Sequence, residues 1–268
     1  MPALIADDGS DLTYRILKGS GEPVICLPGG PLLSTRYLGN LGGLDEYREL
    51  VMFELPQRGV DEVVGDLEAL RLHLGIERLD ILAHSASGNL AMLYAAAFPD
   101  RIGKLALVTP GLRAVGMPPT DEEFFAFFER RSSEAWYAEA RSALDAVGAG
   151  DDSPAVNLAA AAFQYGRWDE AAQRHAAGVS EETIAGAAAI FYPDGAFDAP
   201  ATIAGLARLD AEVLIVVGEK DFFPTMCRGE QLANLFPHAT MVVQEGAGHY
   251  PWIDDATEFI SIVGPFLV

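Results

Sequence analysis

Three side chains in this sequence have types and positions that could do chemistry together. They are Ser85, Asp221 and His249, each placed just after a separate run of apolar residues. A serine hydroxyl is a weak nucleophile at neutral pH. It needs a base to take its proton, an acid to orient that base, and N–H donors for the oxyanion that its attack creates. Ser85 lies in the stretch Leu79-Asp80-Ile81-Leu82-Ala83-His84-Ser85-Ala86-Ser87-Gly88-Asn89-Leu90-Ala91, and an Ala-rich apolar run continues to Phe98. The stretch reads as a buried strand, a sharp turn and a helix, with Ser85 at the tip. This layout pushes a serine Oγ out at the C-terminal end of the strand. Strand and helix pass close together there, so the residues two before and two after the serine need to be small. Glycine is usual at both places; here they are Ala83 and Ser87.

The acid and the base are sought at other strand ends. The run Val213-Leu214-Ile215-Val216-Val217 leads into Gly218-Glu219-Lys220-Asp221, and an acid just after a buried strand can reach across the sheet. Asp221 is the candidate and Glu219 its nearest rival. Residues 240–243 lead into Gln244-Glu245-Gly246-Ala247-Gly248-His249, where the glycines predict a flexible, compact loop that lets the imidazole approach the serine. Of the five histidines, His73 falls in a polar helix, His175 in a helical insertion and His238 in a turn. His84 adjoins Ser85, but strand alternation predicts that its side chain points the other way.

The elements that position these groups follow from periodicity. Apolar residues alternate over 12–18, an outer strand, run continuously at 24–27 and 105–108, and predominate at 50–55 and 79–82, as in strands buried on both faces. Val63, Val64, Leu67, Leu70 and Leu74 recur at helical spacing, with Asp61 and Glu62 in the first turn and Gly75 as the stop. Strands alternating with helices predict an α/β fold with a mostly parallel sheet covered by helices on both faces. Between 111 and 205 no buried strand is evident. That segment reads as helical at 121–144, 154–162, 169–176 and 181–189, with 15 acidic against 6 basic side chains, a net of −9. The expected organisation is therefore a core of 1–110 and 206–268 with a helical cap of 111–205 inserted after the strand at 105–108, which the resemblance given below makes the sixth strand. The sheet resumes at 213–217 and 240–243, a helix is expected at 229–236, and a closing helix at 253–268 with a kink or early end at Pro265.

Composition bounds the function classes. The 268 residues are 50% hydrophobic, enough for a large core, and no apolar run reaches the roughly 18 residues of a membrane span. A formal charge of −21 disfavours nucleic acid and anionic membrane as partners, leaving a small-molecule substrate as the expectation. The two cysteines, Cys26 and Cys227, make no disulfide framework, and no basic or long apolar segment opens the chain, so a cytoplasmic protein is expected. There is no Gly-x-Gly-x-x-Gly after a strand, no Walker-type lysine loop and no cysteine–histidine cluster with metal spacing, so neither cofactor nor metal is expected. Oligomeric state is left open.

The order Ser85, Asp221, His249 resembles the triad of the α/β-hydrolase fold superfamily, over essentially the whole chain. By that resemblance the three are nucleophile, acid and base. The residue after the nucleophile, Ala86, and the loop Gly29-Gly30-Pro31, at Gly30, would supply the oxyanion N–H groups. Pro28-Gly29-Gly30-Pro31-Leu32, Pro56-Gln57-Arg58-Gly59 and 66–75 are similar to the proline iminopeptidase-like branch. That branch carries His-Gly-Gly-Pro-Gly and Asp-Gln-Arg-Gly at the first two places and Gly-Gly-Ser-Trp-Gly at the elbow, so fold and machinery transfer better than peptidase activity. The resemblance implies a serine hydrolase cleaving a small ester or amide, aminopeptidase-like if cap acids such as Glu122, Glu123, Glu129, Glu134 or Glu139 grip a free amine. These acids read more readily as a solvated surface, and Phe124, Phe127 and Phe128 more readily as packing of the cap onto the core than as the lining of an apolar pocket. The alternatives are the same triad used for acyl transfer, cyclisation, C–C cleavage or lyase chemistry, and a non-catalytic binding module.

Overall fold

The structure, a computed structural model, describes residues 3–5, 9–151 and 153–268. Its centre is an eight-stranded sheet in the order β1-β2-β4-β3-β5-β6-β7-β8. The strands are β1 (Ala3–Ile5), β2 (Asp11–Leu17), β3 (Val24–Leu27), β4 (Leu50–Glu54), β5 (Leu79–His84), β6 (Ile102–Val108), β7 (Glu212–Gly218) and β8 (Ala239–Gln244). β2 pairs antiparallel with β1 and with β4, and every other pairing is parallel. The apolar runs are continuous because both faces are covered: Ile25 and Leu27 join one core layer, Val24 and Cys26 the opposite one. Parallel pairing brings Leu27, Ala83, Leu107 and Ile215 into one row across four strands. The loops that follow β3, β5, β6, β7 and β8 therefore open on the same edge of the sheet, where α/β folds place their sites.

On one face lie α1 (Val60–Leu74), which buries Val63, Leu67 and Leu70, and α2 (Ser87–Ala97). Gly75 ends α1 at φ 68° as its left-handed cap. Between β6 and β7 come only helices: α3 (Asp121–Arg130), α4 (Tyr137–Gly148), α5 (Pro154–Ala160), α6 (Glu170–Glu182), α7 (Ala187–Phe191) and α8 (Ala199–Leu206). This is the helical cap after the sixth strand, and Phe127, Ala140, Ala162 and Phe163 are its own buried cluster. α8 packs on α2 closely enough that a Cβ on Gly205 would meet the Ala96 Cβ at 2.5 Å. The break expected before 181 falls later, since α6 runs through Glu182.

α9 (Met226–Ala233) starts three residues before the expected 229, because the Thr225 hydroxyl accepts the Arg228 N–H and caps it. The closing helix is in two pieces, α10 (Pro251–Asp254) and α11 (Ala256–Leu267). The division comes at Asp255, whose carboxylate accepts the Glu258 N–H at 3.0 Å. Pro265 ends nothing. The carbonyl it leaves without a donor belongs to Ser261, which is exposed to water, and the helix continues to Leu267.

Candidate active site

Ser85 follows β5 directly, at φ 50°, a left-handed conformation that costs energy in any residue but glycine. Backbone bonds hold it there. Its N–H donates to the Val108 carbonyl at 3.0 Å, and its own carbonyl accepts from Gly88 at 2.8 Å and Gly111 at 2.7 Å. Ser87, at one of the places where glycine is usual, is more than a small residue, because its hydroxyl donates to the Pro28 carbonyl and fastens the elbow to the loop after β3.

The three groups found in sequence meet at the sheet edge. His249 Nε2 lies 2.8 Å from Ser85 Oγ, and His249 Nδ1 lies 2.9 Å from Asp221 Oδ2 and 3.1 Å from Oδ1. Asp221 is buried, and its Oδ1 also accepts the Phe223 N–H at 3.1 Å. Burial pushes its carboxyl above the usual carboxylate range, while His249 and the N–H groups of Phe223 and Phe222 act against that rise. Glu219, the rival acid, turns aside to accept the Gly246 N–H at 2.8 Å. This arrangement can move a proton from a hydroxyl to an imidazole whose opposite nitrogen faces a carboxylate.

Gly30 and Ala86, the expected oxyanion donors, flank Ser85. Gly30 has φ 135°, and a Cβ there would meet Leu33 N at 2.7 Å, so only glycine fits. Ala86 is the residue that opens α2, where backbone N–H groups have no helical acceptor. Among the described residues no carbonyl accepts from either amide.

Other groups of the site had little signal in the sequence. His84 is the clearest correction: it does not point away. Its ring lines the same cavity as Ser85, 5.0 Å from the His249 ring centroid, because the φ reversal at Ser85 breaks the strand alternation on which the expectation rested. The backbone of His249 is pinned on both sides. Its N–H donates to the Gln164 carbonyl at 2.7 Å, and its carbonyl accepts from His84 Nε2 at 2.9 Å and Thr109 Oγ1 at 3.0 Å. Asp254, also buried, accepts N–H bonds from Gly248 at 2.7 Å and from Gly166 at 2.9 Å, tying the histidine loop to the cap. Of the loop's glycines, Gly246 has open space around it and takes a left-handed turn at φ 69°, whereas Gly248 serves close approach. A Cβ on Gly248 would meet Gln164 O at 2.6 Å and Gly166 N at 2.7 Å.

Over these groups lies a cavity of about 410 Å³, walled by Leu33, Gln164, Val179, Thr183, Ile184 and Phe222 among others. Among its described lining residues there is no aspartate, glutamate, lysine or arginine. Three of the cap acids, Glu123, Glu129 and Glu134, are engaged elsewhere. Glu123 caps α3 with Thr120 and pairs with Arg228 at 2.8 Å, which together lower its carboxyl to about 2. Glu129 accepts the Tyr137 hydroxyl and Glu134 pairs with Arg131. Phe124, Phe127 and Phe128 pack on one another and, through Phe222, on the wall of the cavity.

A profile of the α/β hydrolase fold family matches residues 26–256. The chain belongs to the α/β-hydrolase family. The 2-hydroxymuconate semialdehyde hydrolase of Pseudomonas sp. (strain CF600) is 30% identical to it over 208 residues, 78% of this chain and 67% of that protein. An esterase from Rhodococcus sp. ECU1013 superposes with a TM-score of 0.75 at 21% identity, covering 99% of this chain and 98% of its own. The proline iminopeptidase of Mycobacterium smegmatis does so with a TM-score of 0.71 at 21% identity, covering 99% and 97%. Likeness at that identity is likeness of fold. No helix among the described residues is long and apolar enough to cross a membrane, and no described cluster of histidine, cysteine, aspartate and glutamate could hold a metal ion.

Proposed function

We propose that this α/β hydrolase is a serine hydrolase acting on small, uncharged carboxylic esters through an acyl-enzyme. In this reading Ser85 is the nucleophile, His249 the general base, Asp221 the orienting acid, and the amides of Gly30 and Ala86 the oxyanion hole. The observation that carries it is the line Ser85 Oγ, His249 Nε2, His249 Nδ1, Asp221 in hydrogen-bond contact beneath a cavity whose described lining holds no aspartate, glutamate, lysine or arginine. A substrate's free ammonium group has no carboxylate to meet there, which argues for esters over N-terminal peptides. The segment 111–205 would act as the cap that shapes this cavity, and the substrate would be a small molecule reaching the site from a reducing cytoplasm.

A second reading, C–C cleavage, rests on the 2-hydroxymuconate semialdehyde hydrolase. The substrate in that name carries a carboxylate, and among the described lining residues of this cavity there is no arginine or lysine to receive one.

The test is turnover of p-nitrophenyl acetate, butyrate and octanoate beside prolyl and alanyl p-nitroanilides and 2-hydroxymuconate semialdehyde. Wild type and Ser85→Ala are run in parallel, with a fluorophosphonate probe for labelling. Esters are expected to turn over, Ser85 to label, and Ser85→Ala to do neither. Faster cleavage of the anilides or of the semialdehyde would overturn the ester assignment. No labelling of Ser85 would overturn the serine-hydrolase reading itself.

A further inference from the structure

The mechanism above leaves two buried titratable side chains beside the site unused, Tyr37 and His84. Their hydrogen-bond roles are fixed by elementary chemistry. His84 Nε2 faces the His249 carbonyl at 2.9 Å, and a carbonyl can only accept, so Nε2 carries the proton. In the neutral ring Nδ1 is then an acceptor, and it lies 2.7 Å from the Tyr37 hydroxyl, which donates to it. The Tyr37 oxygen in turn accepts the N–H of Gly29. One directed line therefore runs from the Gly29 amide through Tyr37 and His84 to the His249 carbonyl. Its first member precedes the expected oxyanion donor Gly30, and its last is the backbone of the expected base. Burial lowers the readiness of His84 to take a proton and raises the Tyr37 hydroxyl, so both stay neutral and the line keeps its direction.

Packing makes the pair hard to bypass. A Cβ on Gly29 would meet His84 Nδ1 and Ser85 Cβ at 2.9 Å and the Tyr37 hydroxyl at 3.1 Å, so the loop after β3 rests directly on it. The line also reaches the cap. The Tyr165 hydroxyl lies 2.8 Å from His175 Nδ1, and His175 Nε2 donates to the Tyr37 carbonyl at 2.9 Å. Tyr165 follows Gln164, whose carbonyl accepts the His249 N–H, so the bonds from His249 return to His249 through cap and core.

We propose that Tyr37 and His84 are positioning residues that set the oxyanion loop and the His249 backbone together, through one shared line of hydrogen bonds. The proposal rests on the serine-hydrolase reading. It has a specific signature: the pair acts on the reacting geometry and not on substrate binding, so its loss lowers kcat and leaves KM nearly unchanged. Preorganised donors misplaced by a fraction of an ångström lose much of their effect.

The experiment compares wild type, Tyr37→Phe, His84→Gln, His84→Ala and the double variant Tyr37→Phe/His84→Gln. It measures p-nitrophenyl butyrate kinetics, the rate of Ser85 labelling by a fluorophosphonate, and Tm. Glutamine keeps an N–H near the Nε2 position for the His249 carbonyl and loses only the link to Tyr37. Tyr37→Phe and His84→Gln are each expected to lower kcat and the labelling rate about tenfold with KM within about twofold. Since both cut the same link, the double variant is expected to be no slower than the slower single one. His84→Ala, which also frees the His249 carbonyl, is expected to be slower still, with partial recovery in His84→Gln. Tyr37→Phe and His84→Gln at wild-type kcat and labelling rate, or additive losses in the double variant, would overturn the proposal. So would losses that follow Tm across the set. Failure of the wild type to label at all would instead refute the serine-hydrolase reading.

Discussion

Replacing Asp221 by asparagine should stop turnover without weakening the fold. The structure dictates how the amide would sit. Phe223 presents an N–H to Oδ1 at 3.1 Å, so the carboxamide oxygen takes that place and the NH₂ takes the place of Oδ2, 2.9 Å from His249 Nδ1. Facing a donor, Nδ1 must accept. The ring proton then moves to Nε2, which points at Ser85 Oγ over 2.8 Å and can no longer take the serine's proton. Rotating the amide would restore the tautomer but leave the Phe223 N–H against another donor, at about 1–3 kcal/mol. The negative charge that steadies the imidazolium is lost in either case. Together these amount to about 5 kcal/mol in the barrier, a fall of ~10⁴-fold in kcat. Asp221 is buried and its carboxyl is pushed upward, so the folded state carries a desolvation cost that the neutral amide removes. Tm is therefore expected to hold or rise. The assay is p-nitrophenyl butyrate turnover with a thermal scan, with Glu219→Gln as the control, expected within about twofold of wild type because Glu219 is bonded to Gly246 and not to His249. An Asp221→Asn protein that kept more than a tenth of wild-type kcat would refute the reasoning.

Two further outcomes test how the cap is fastened. The Glu123–Arg228 pair joins α3 to α9, and Glu123 is held ionised down to about 2. Glu123→Gln should cost roughly 1 kcal/mol at neutral pH, the usual ceiling for a partly exposed pair. Because the folded carboxyl is lowered from 4.5, that contribution is complete above 4.5 and lost as pH falls toward about 2, so urea midpoints of the two proteins should converge there. Gly248→Ala drives a Cβ to 2.6 Å from Gln164 O, against backbone that cannot rotate aside. A loss of about 1–3 kcal/mol, read as a fall in Tm, is expected together with slower Ser85 labelling, since His249 is the next residue. Labelling at the wild-type rate would show that the cap contact does not position the base.

The strands that carry the site were legible because their apolar residues run together, in β3 and β7 under nearly complete burial and in β8 on a half-buried edge. Val24–Leu27 and the runs at 213–217 and 240–243 announce themselves as apolar blocks, and the residues that follow them are where reacting groups gather. Ser85, Asp221 and His249 could be picked out on those grounds, and the structure sets the three in hydrogen-bond contact. The cap helices were legible in kind but not in extent. Their boundaries depend on caps such as Thr120 before α3 and on how far α6 is covered, and neither leaves a strong periodic mark.

What sequence pattern determined by itself was seven of the eight strands, the placing of a helical insertion between 105–108 and 213–217, and the reactive types at three strand ends, because hydrophobic periodicity and strand-end position are local properties; β1 at Ala3–Ile5 and the order of the strands were not read from it. The tertiary structure alone decided the rest. His84 turns toward the site because a left-handed serine breaks the alternation beside it. Asp254 and Gln164 hold the His249 loop only because cap and core touch at Gly166 and Gly248. The cap acids leave the cavity uncharged because Arg228, Arg131 and Tyr137 lie close enough to engage three of them. The contacts His84–His249, Gly166–Asp254 and Glu123–Arg228 join residues 165, 88 and 105 apart in the chain, and distance in space is the one quantity that local spacing does not encode.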